Sequence, residues 1–251
     1  MTLGGGTHSE RSLRIAGTLM VKASADIVEN GKTAAAAMLE VAPQDITFAE
    51  GVFRVTGTDR SASLFEVACA IEAGQVAPDL HQMLAATSDF KGRISAYPAG
   101  AAVCEIEMDP ETGALDVTRY TTVDDSGQPV NPMIVEGQTH GGIAQGVGQA
   151  LLEGMVFDAD SGQVLTGSYA DYGICRADSL PSFRVAEAED PTTGNPLRVK
   201  GGGEAGIMPA TAAVVNALCD ALSDAGVKDV QMPATPMVIW KALSSSARQF
   251  G

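Results

Sequence analysis

The chain has 251 residues, enough for one large domain or two small lobes with their own cores. Hydrophobic residues at 45% and charged residues at 19% describe an ordinary globular protein, while a formal net charge of -15 argues against nucleic acid or an anionic membrane as partner. No signal peptide or spanning stretch is visible, and Cys69, Cys104, Cys175 and Cys219 lack metal-site spacing, so a cytoplasmic protein with buried free thiols is expected.

Residues 1 to 11 are glycine-rich and polar and read as loop. From Ser12 to about Leu39 a helical pattern carries Ile15, Leu19, Ile27 and Val28. "ITFAEGVFRVTG" alternates around Glu50-Gly51, which predicts a tight hairpin. "SLFEVACAIEAG" predicts a short helix, with Ser63 and Glu66 spaced as a capping box. The stretch 75 to 95 reads as irregular or extended and is a candidate boundary between two lobes.

"YPAGAAVCEIEMDPETGALDVTRYTTVDDSG" predicts a second hairpin turning at Pro110-Glu111-Thr112-Gly113. A helix rich in small residues follows, from roughly 133 to 155, then a turn in "FDADSGQVLTGS" and a strand in "SFRVAEAED". A helix from about 208 to 225 ends at Gly226, and a last helix carries Trp240. Strands and helices interleave without a regular βαβ rhythm, so the expected fold class is α+β, with mixed or antiparallel sheets and β-hairpins covered by helices.

Three glycine-flanked stretches could carry chemistry. In "GGGTHSERS", glycines ahead of a helix N-terminus suit an anion, though a plain helix cap explains the same residues. In "EGQTHGGIAQGVGQALLE", Gly141, Gly142, Gly146 and Gly148 each cost roughly 1 kcal/mol in a helix relative to alanine. That cost implies close helix packing or a ligand against the backbone, with Gln145 able to donate and accept at once. In "VKGGGEAGIMPATAAVVNALCDAL", Glu204 stands among Gly201, Gly202, Gly203 and Gly206. A helix-start acid explains the carboxylate, but four glycines leave room for a general base beside a ligand.

Other chemistry finds less support. His8, His81 and His140 have no metal-ligand spacing, and no GxSxG elbow marks a hydrolase. Asp124-Asp125, in "VDDSGQPVNP", suits a turn better than acid–base work.

Taken in order, "SERSLRIAG", "AMLEVAPQDITFAEGVFRV", "VDDSGQPVNPMIVEGQTHGGIAQGVGQALLE" and "NPLRVKGGGEAGIMPATAAVVNAL" resemble one family. It is the molybdopterin-binding large subunit of the xanthine dehydrogenase, aldehyde oxidase and aerobic carbon monoxide dehydrogenase group, the molybdenum hydroxylases. The resemblance spans nearly the whole chain and corresponds to the C-terminal part of that subunit. It implies a molybdenum–molybdopterin cofactor, the cytosine dinucleotide form among the candidates, and water-derived hydroxylation of an aldehyde or N-heterocycle. Iron–sulfur and FAD groups are then expected only on partner subunits, alongside the N-terminal part of the molybdenum subunit. A non-catalytic cofactor-binding or assembly subunit is the alternative that the resemblance leaves open.

Residue by residue, the resemblance makes Glu204 the base beside the metal and Gln145 a contact to the pterin. Ser9, Glu10, Arg11 and Ser12 match a loop that cradles the pterin and its phosphate tail, and Gly203 lies against the cofactor. Glu10 departs from the small residue expected at its position, since an acid beside a phosphate needs Arg11 to offset it. No protein ligand to the metal is expected from this chain.

Overall fold

The computed structural model describes residues 6, 8, 10–76, 84–92 and 94–247. The chain divides into two compact units, one running from Arg11 to Ile94 and the other from Ser95 onward together with His8 and Glu10. Ser9 and His81 lie outside the described residues.

In the first unit a π-helical turn, Ser12–Ala16, runs directly into α1 (Gly17–Met38). The strands β1 (Ile46–Ala49), β2 (Val52–Val55) and β3 (Ser61–Ser63) form an antiparallel meander. The turn between β1 and β2 places Glu50 and Gly51 at φ of 50° and 77°, the left-handed pair that a two-residue hairpin needs. Helix α2 (Leu64–Glu72) starts on the expected capping box: Ser63 Oγ accepts from the Glu66 N–H, and the Glu66 carboxylate accepts from the Ser63 N–H. Phe53, Val67 and the alanines of α1 close this core.

The second unit is built on β4 (Ala99–Met108), β5 (Leu115–Asp125) and β6 (Arg184–Glu187). β4 and β5 form the expected long hairpin, and β6 joins β5 in parallel, which makes the sheet mixed. The fold class is therefore α+β, as expected. Helix α3 (Pro132–Leu151) begins with Asn131 Oδ1 accepting from the Ile134 N–H and with Pro132 in its first turn, where a missing donor costs nothing. It packs on α4 (Ile207–Ser223), which in turn lies on β4, and α5 (Pro236–Ala247) closes the core through Ile239.

The expectation of buried thiols needs correction. All four cysteines are free, but Cys69 is exposed and the others are only partly covered. Helix α2 turns Val67, Ala70 and Ile71 inward, which leaves Cys69 on its outer face.

The α3–α4 crossing decides where the later helix starts. A Cβ on Gly142 would stand 2.7 Å from the Ile207 nitrogen, and one on Gly146 would stand 2.5 Å from the Ala210 Cβ. A Gly142→Ala variant should lower stability, because overpacking costs about 1–3 kcal/mol and exceeds the roughly 1 kcal/mol that alanine returns in helix propensity. Denaturant titration of the two chains checks the sign.

Candidate functional site

The loop that carries Glu204 runs along the first half of α3. Gly202 faces Ser126 and Val135, with an ideal Cβ 3.8 and 3.9 Å from their side-chain carbons. Two residues past Glu204, Gly206 is packed so tightly on Thr139 that a Cβ there would overlap the Thr139 carbonyl oxygen. The Glu204 carbonyl accepts from the Met208 N–H at 3.1 Å, so Glu204 stands just outside the helix rather than within its first turn. Its side chain is exposed, and among the described residues it has no hydrogen-bond or ion-pair partner.

The glycines of α3 divide into two kinds. Gly142 and Gly146 are buried against α4, whereas Gly137 and Gly141 are exposed with nothing within 4 Å of an ideal Cβ. Gly137, Gly141 and Gln145 are spaced four apart and so share one face of the helix. Gln145 is exposed, and no described residue bonds its amide. Gly203 has the same open surroundings as Gly141. Gly137 and Gly141 carry the helical cost of glycine without any packing against the described residues to offset it, which leaves the backbone accessible to a bound group.

Of the expected anion loop, Arg11 and Ser12 flank and open the π turn of the first unit. Glu10 belongs to the second unit and is the member brought to the glycine loop. Its backbone is left-handed at φ 57°, and its carboxyl group lies over Gly201, where a Cβ would come within 2.8 Å of the Glu10 Cδ. Gly201 is glycine because Glu10 fills its side-chain space.

Sequence reasoning missed a buried polar network at the end of β5. Asp125 Oδ2 accepts from Lys200 Nζ at 2.5 Å, while its Oδ1 accepts from the N–H groups of Gly127 and Asp190. The turn role expected for Asp125 is therefore real, but it comes with an ion pair. Burial alone would raise the Asp125 carboxyl, yet the Lys200 hydrogen bond, the two backbone donors and the Lys200 charge hold it below the usual range. The Lys200 ammonium is raised in turn, first by its hydrogen bond to Asp125.

Its neighbour is of the opposite kind. Asp124 is 2% exposed, with Oδ1 bonded to the Thr122 hydroxyl and Oδ2 without a partner among the described residues. Burial pushes its carboxyl up, and the Glu187 charge on the adjoining strand adds to that. Further along β5, Tyr120 is fully buried and its phenol is pushed up to about 12, chiefly by burial.

Lys200 is the sole lysine between Lys91 and Lys228 and directly precedes the glycines, but nothing in the sequence pairs it with Asp125. No group of three or more His, Cys, Asp or Glu side chains that could hold a metal ion occurs among the described residues. Among the described residues, no helix is long and apolar enough to cross a membrane. Two open surface grooves lie by the turn end of the β4–β5 hairpin, around Trp240 and Leu243, away from Glu204.

Comparison with known proteins matches residues 1–181 to the molybdopterin cofactor-binding domain model. The gamma subunit of the 6-hydroxypseudooxynicotine dehydrogenase complex of Paenarthrobacter nicotinovorans is 36% identical over 94% of this chain and 30% of its own length. Among solved structures, reconstituted CO dehydrogenase from Oligotropha carboxidovorans superposes with a TM-score of 0.87 at 29% identity, over 98% of this chain and 30% of that one. Quinoline 2-oxidoreductase from Pseudomonas putida 86 gives 0.82 at 35% identity, over 96% of this chain and 31% of that one. The chain thus spans less than a third of the length of these relatives.

The open face of α3 makes its own prediction. With nothing near its Cβ position, Gly141→Ala should stabilise the cofactor-free chain by up to about 1 kcal/mol, the reverse of Gly142→Ala one residue on. Thermal melting of the pair measures both.

Proposed function

The chain belongs to the molybdopterin cofactor-binding domain family, and on that footing we propose that it is the C-terminal part of a molybdenum hydroxylase large subunit that supplies Glu204 as general base. The reaction is water-derived hydroxylation of a small aldehyde or N-heterocycle. One observation carries the reading: the "GGGE" loop lies along α3 beside exposed glycines that no described residue covers, with a carboxylate at its tip that has no partner among the described residues.

The residues present suit such a group. Gly137, Gly141 and Gly203 leave backbone open to a flat ligand, and Gln145 offers one donor edge and one acceptor to a pterin. Arg11 and Ser12 stand at the helix N-terminus of the first unit, whose field favours a phosphate tail, while Ser9 lies outside the described residues. Glu10 lies over Gly201 beside the base loop, and Arg11 is the cation that would offset its charge next to a phosphate. When bound, the molybdenum–molybdopterin cofactor accepts the two electrons of the oxidation.

Glu204 receives the proton lost as water-derived oxygen is transferred. Its carboxylate is exposed and has no partner among the described residues, so it is open to a proton from a bound group. The metal is held by the cofactor and by protein beyond this chain. Electrons leave through iron–sulfur and FAD partner subunits, a reading supported by the naming of one relative as a subunit of a dehydrogenase complex. The charge balance suits a cytoplasmic complex.

In the assembled enzyme, Glu204→Gln should cut turnover by at least about 10²-fold, the scale of losing a general base, with molybdenum and pterin content unchanged. Near-normal turnover in that variant would remove Glu204 from the mechanism. A purified wild-type complex that carries cofactor and yet turns over no aldehyde or N-heterocycle would favour a non-catalytic subunit.

A further inference from the structure

We infer that Lys200 and Asp125 are positioning residues for Glu204, forming a clamp that fixes the upstream end of its loop. The inference rests on the reading of Glu204 as base. A loop of three glycines loses more backbone freedom on ordering than any other sequence of its length. Glu204 has no side-chain partner among the described residues, so its placement depends on what holds the backbone on either side. Downstream the anchor is Gly206 on Thr139, two residues away.

Upstream the anchor is built around Lys200, four residues away and so within roughly 14 Å even if extended. The Lys200 N–H donates to the Ser126 carbonyl at 2.8 Å, and the Gly201 N–H donates to the Ala96 carbonyl at 3.1 Å. Just before them, Asn195 grips Val199 from both sides, accepting from its N–H at 3.2 Å and donating to its carbonyl at 2.9 Å. The segment then lies flat on the β5 exit: Gln128 N–H donates to the Arg198 carbonyl, and a Cβ on Gly127 would come within 2.6 Å of that oxygen and 2.8 Å of the Lys200 nitrogen.

The ion pair locks this arrangement. Lys200 Nζ donates to Asp125 Oδ2 at 2.5 Å and to Asp190 Oδ2 at 3.2 Å, and the Lys200 and Asp125 side chains are only 13% and 12% exposed. Asp125 cannot swing away, because Oδ1 is tied to the Gly127 and Asp190 N–H groups. A buried ion pair does little for net stability compared with an apolar pair of the same shape, whereas its geometry is strict. The clamp's consequence is therefore the position of the loop.

The test uses the assembled enzyme, with turnover expressed per bound molybdenum, and the cofactor-free chain. Lys200→Met and Asp125→Asn should each lower kcat about tenfold or more, since a displacement of about 1 Å at a reacting group can cost 10²-fold. KM should stay within about twofold, and Lys200→Arg, which keeps the cation, should restore most of kcat. In the cofactor-free chain, amide hydrogen exchange at residues 200–204 should quicken in Lys200→Met while α3 and α4 keep their protection.

An unchanged kcat and unchanged exchange, alongside an inactive Glu204→Gln, would overturn the clamp and leave the base reading standing. A loss of kcat that Lys200→Arg does not restore would overturn it too. Normal turnover in Glu204→Gln would instead defeat the base reading, and the clamp with it. If Lys200→Met does not accumulate folded, Asp125→Asn carries the test alone, and a kcat equal to wild type there overturns the inference.

Discussion

The contact of backbone with backbone where α3 meets the turn before α4 is the constraint on which the rest of the second unit depends. Gly142 and Gly206 have no side chains, so the Gly142 backbone can lie on Ile207 and the Gly206 backbone on Thr139 at distances that any Cβ would prevent. That approach fixes the start of α4, lays the glycine loop along α3, and brings Glu204 to the edge of an uncovered helical face. It also explains an economy in α3: the glycines on one side serve packing, and those a quarter-turn or more away are left bare.

The end of β5 complements that constraint with charge. Adjacent aspartates on one strand point to opposite faces and meet opposite environments. Asp125 is matched by Lys200 and two backbone donors, which keeps it ionised. Asp124 faces the interior, where Gly100 on β4 gives it room, and burial favours its protonated form. One dipeptide thus carries an anchored charge, bonded to Lys200, and a reluctant one beside it.

Local features of the fold were legible before any coordinates, because each has a short-range cause. The Ser63–Glu66 box, the Glu50-Gly51 turn and the spans of α1, α3 and α4 follow from capping, positive φ and period alone. The glycine context likewise drew attention to Gln145 and Glu204. Pairings over long distances were not legible. Nothing local tells β6 to lie parallel to β5, and nothing joins Asp125 to Lys200 across 75 residues except the fold itself. Period and composition also could not divide the α3 glycines into packed and open positions, nor place Cys69 on the outside, since both depend on which neighbour covers a face.

The separation between Asp125 and Lys200 has a consequence for how the molecule comes into being. Contacts between segments so far apart carry a large loop-closure cost and form late. During synthesis, β4, β5 and α3 emerge and can associate well before Lys200 leaves the ribosome. The Ser126–Glu187 and Asp125–Lys200 bonds must wait for the chain between them, 61 and 75 residues on. The base loop therefore takes its place only after its scaffold exists, so a partly made chain holds the open face of α3 without the carboxylate that would act on it.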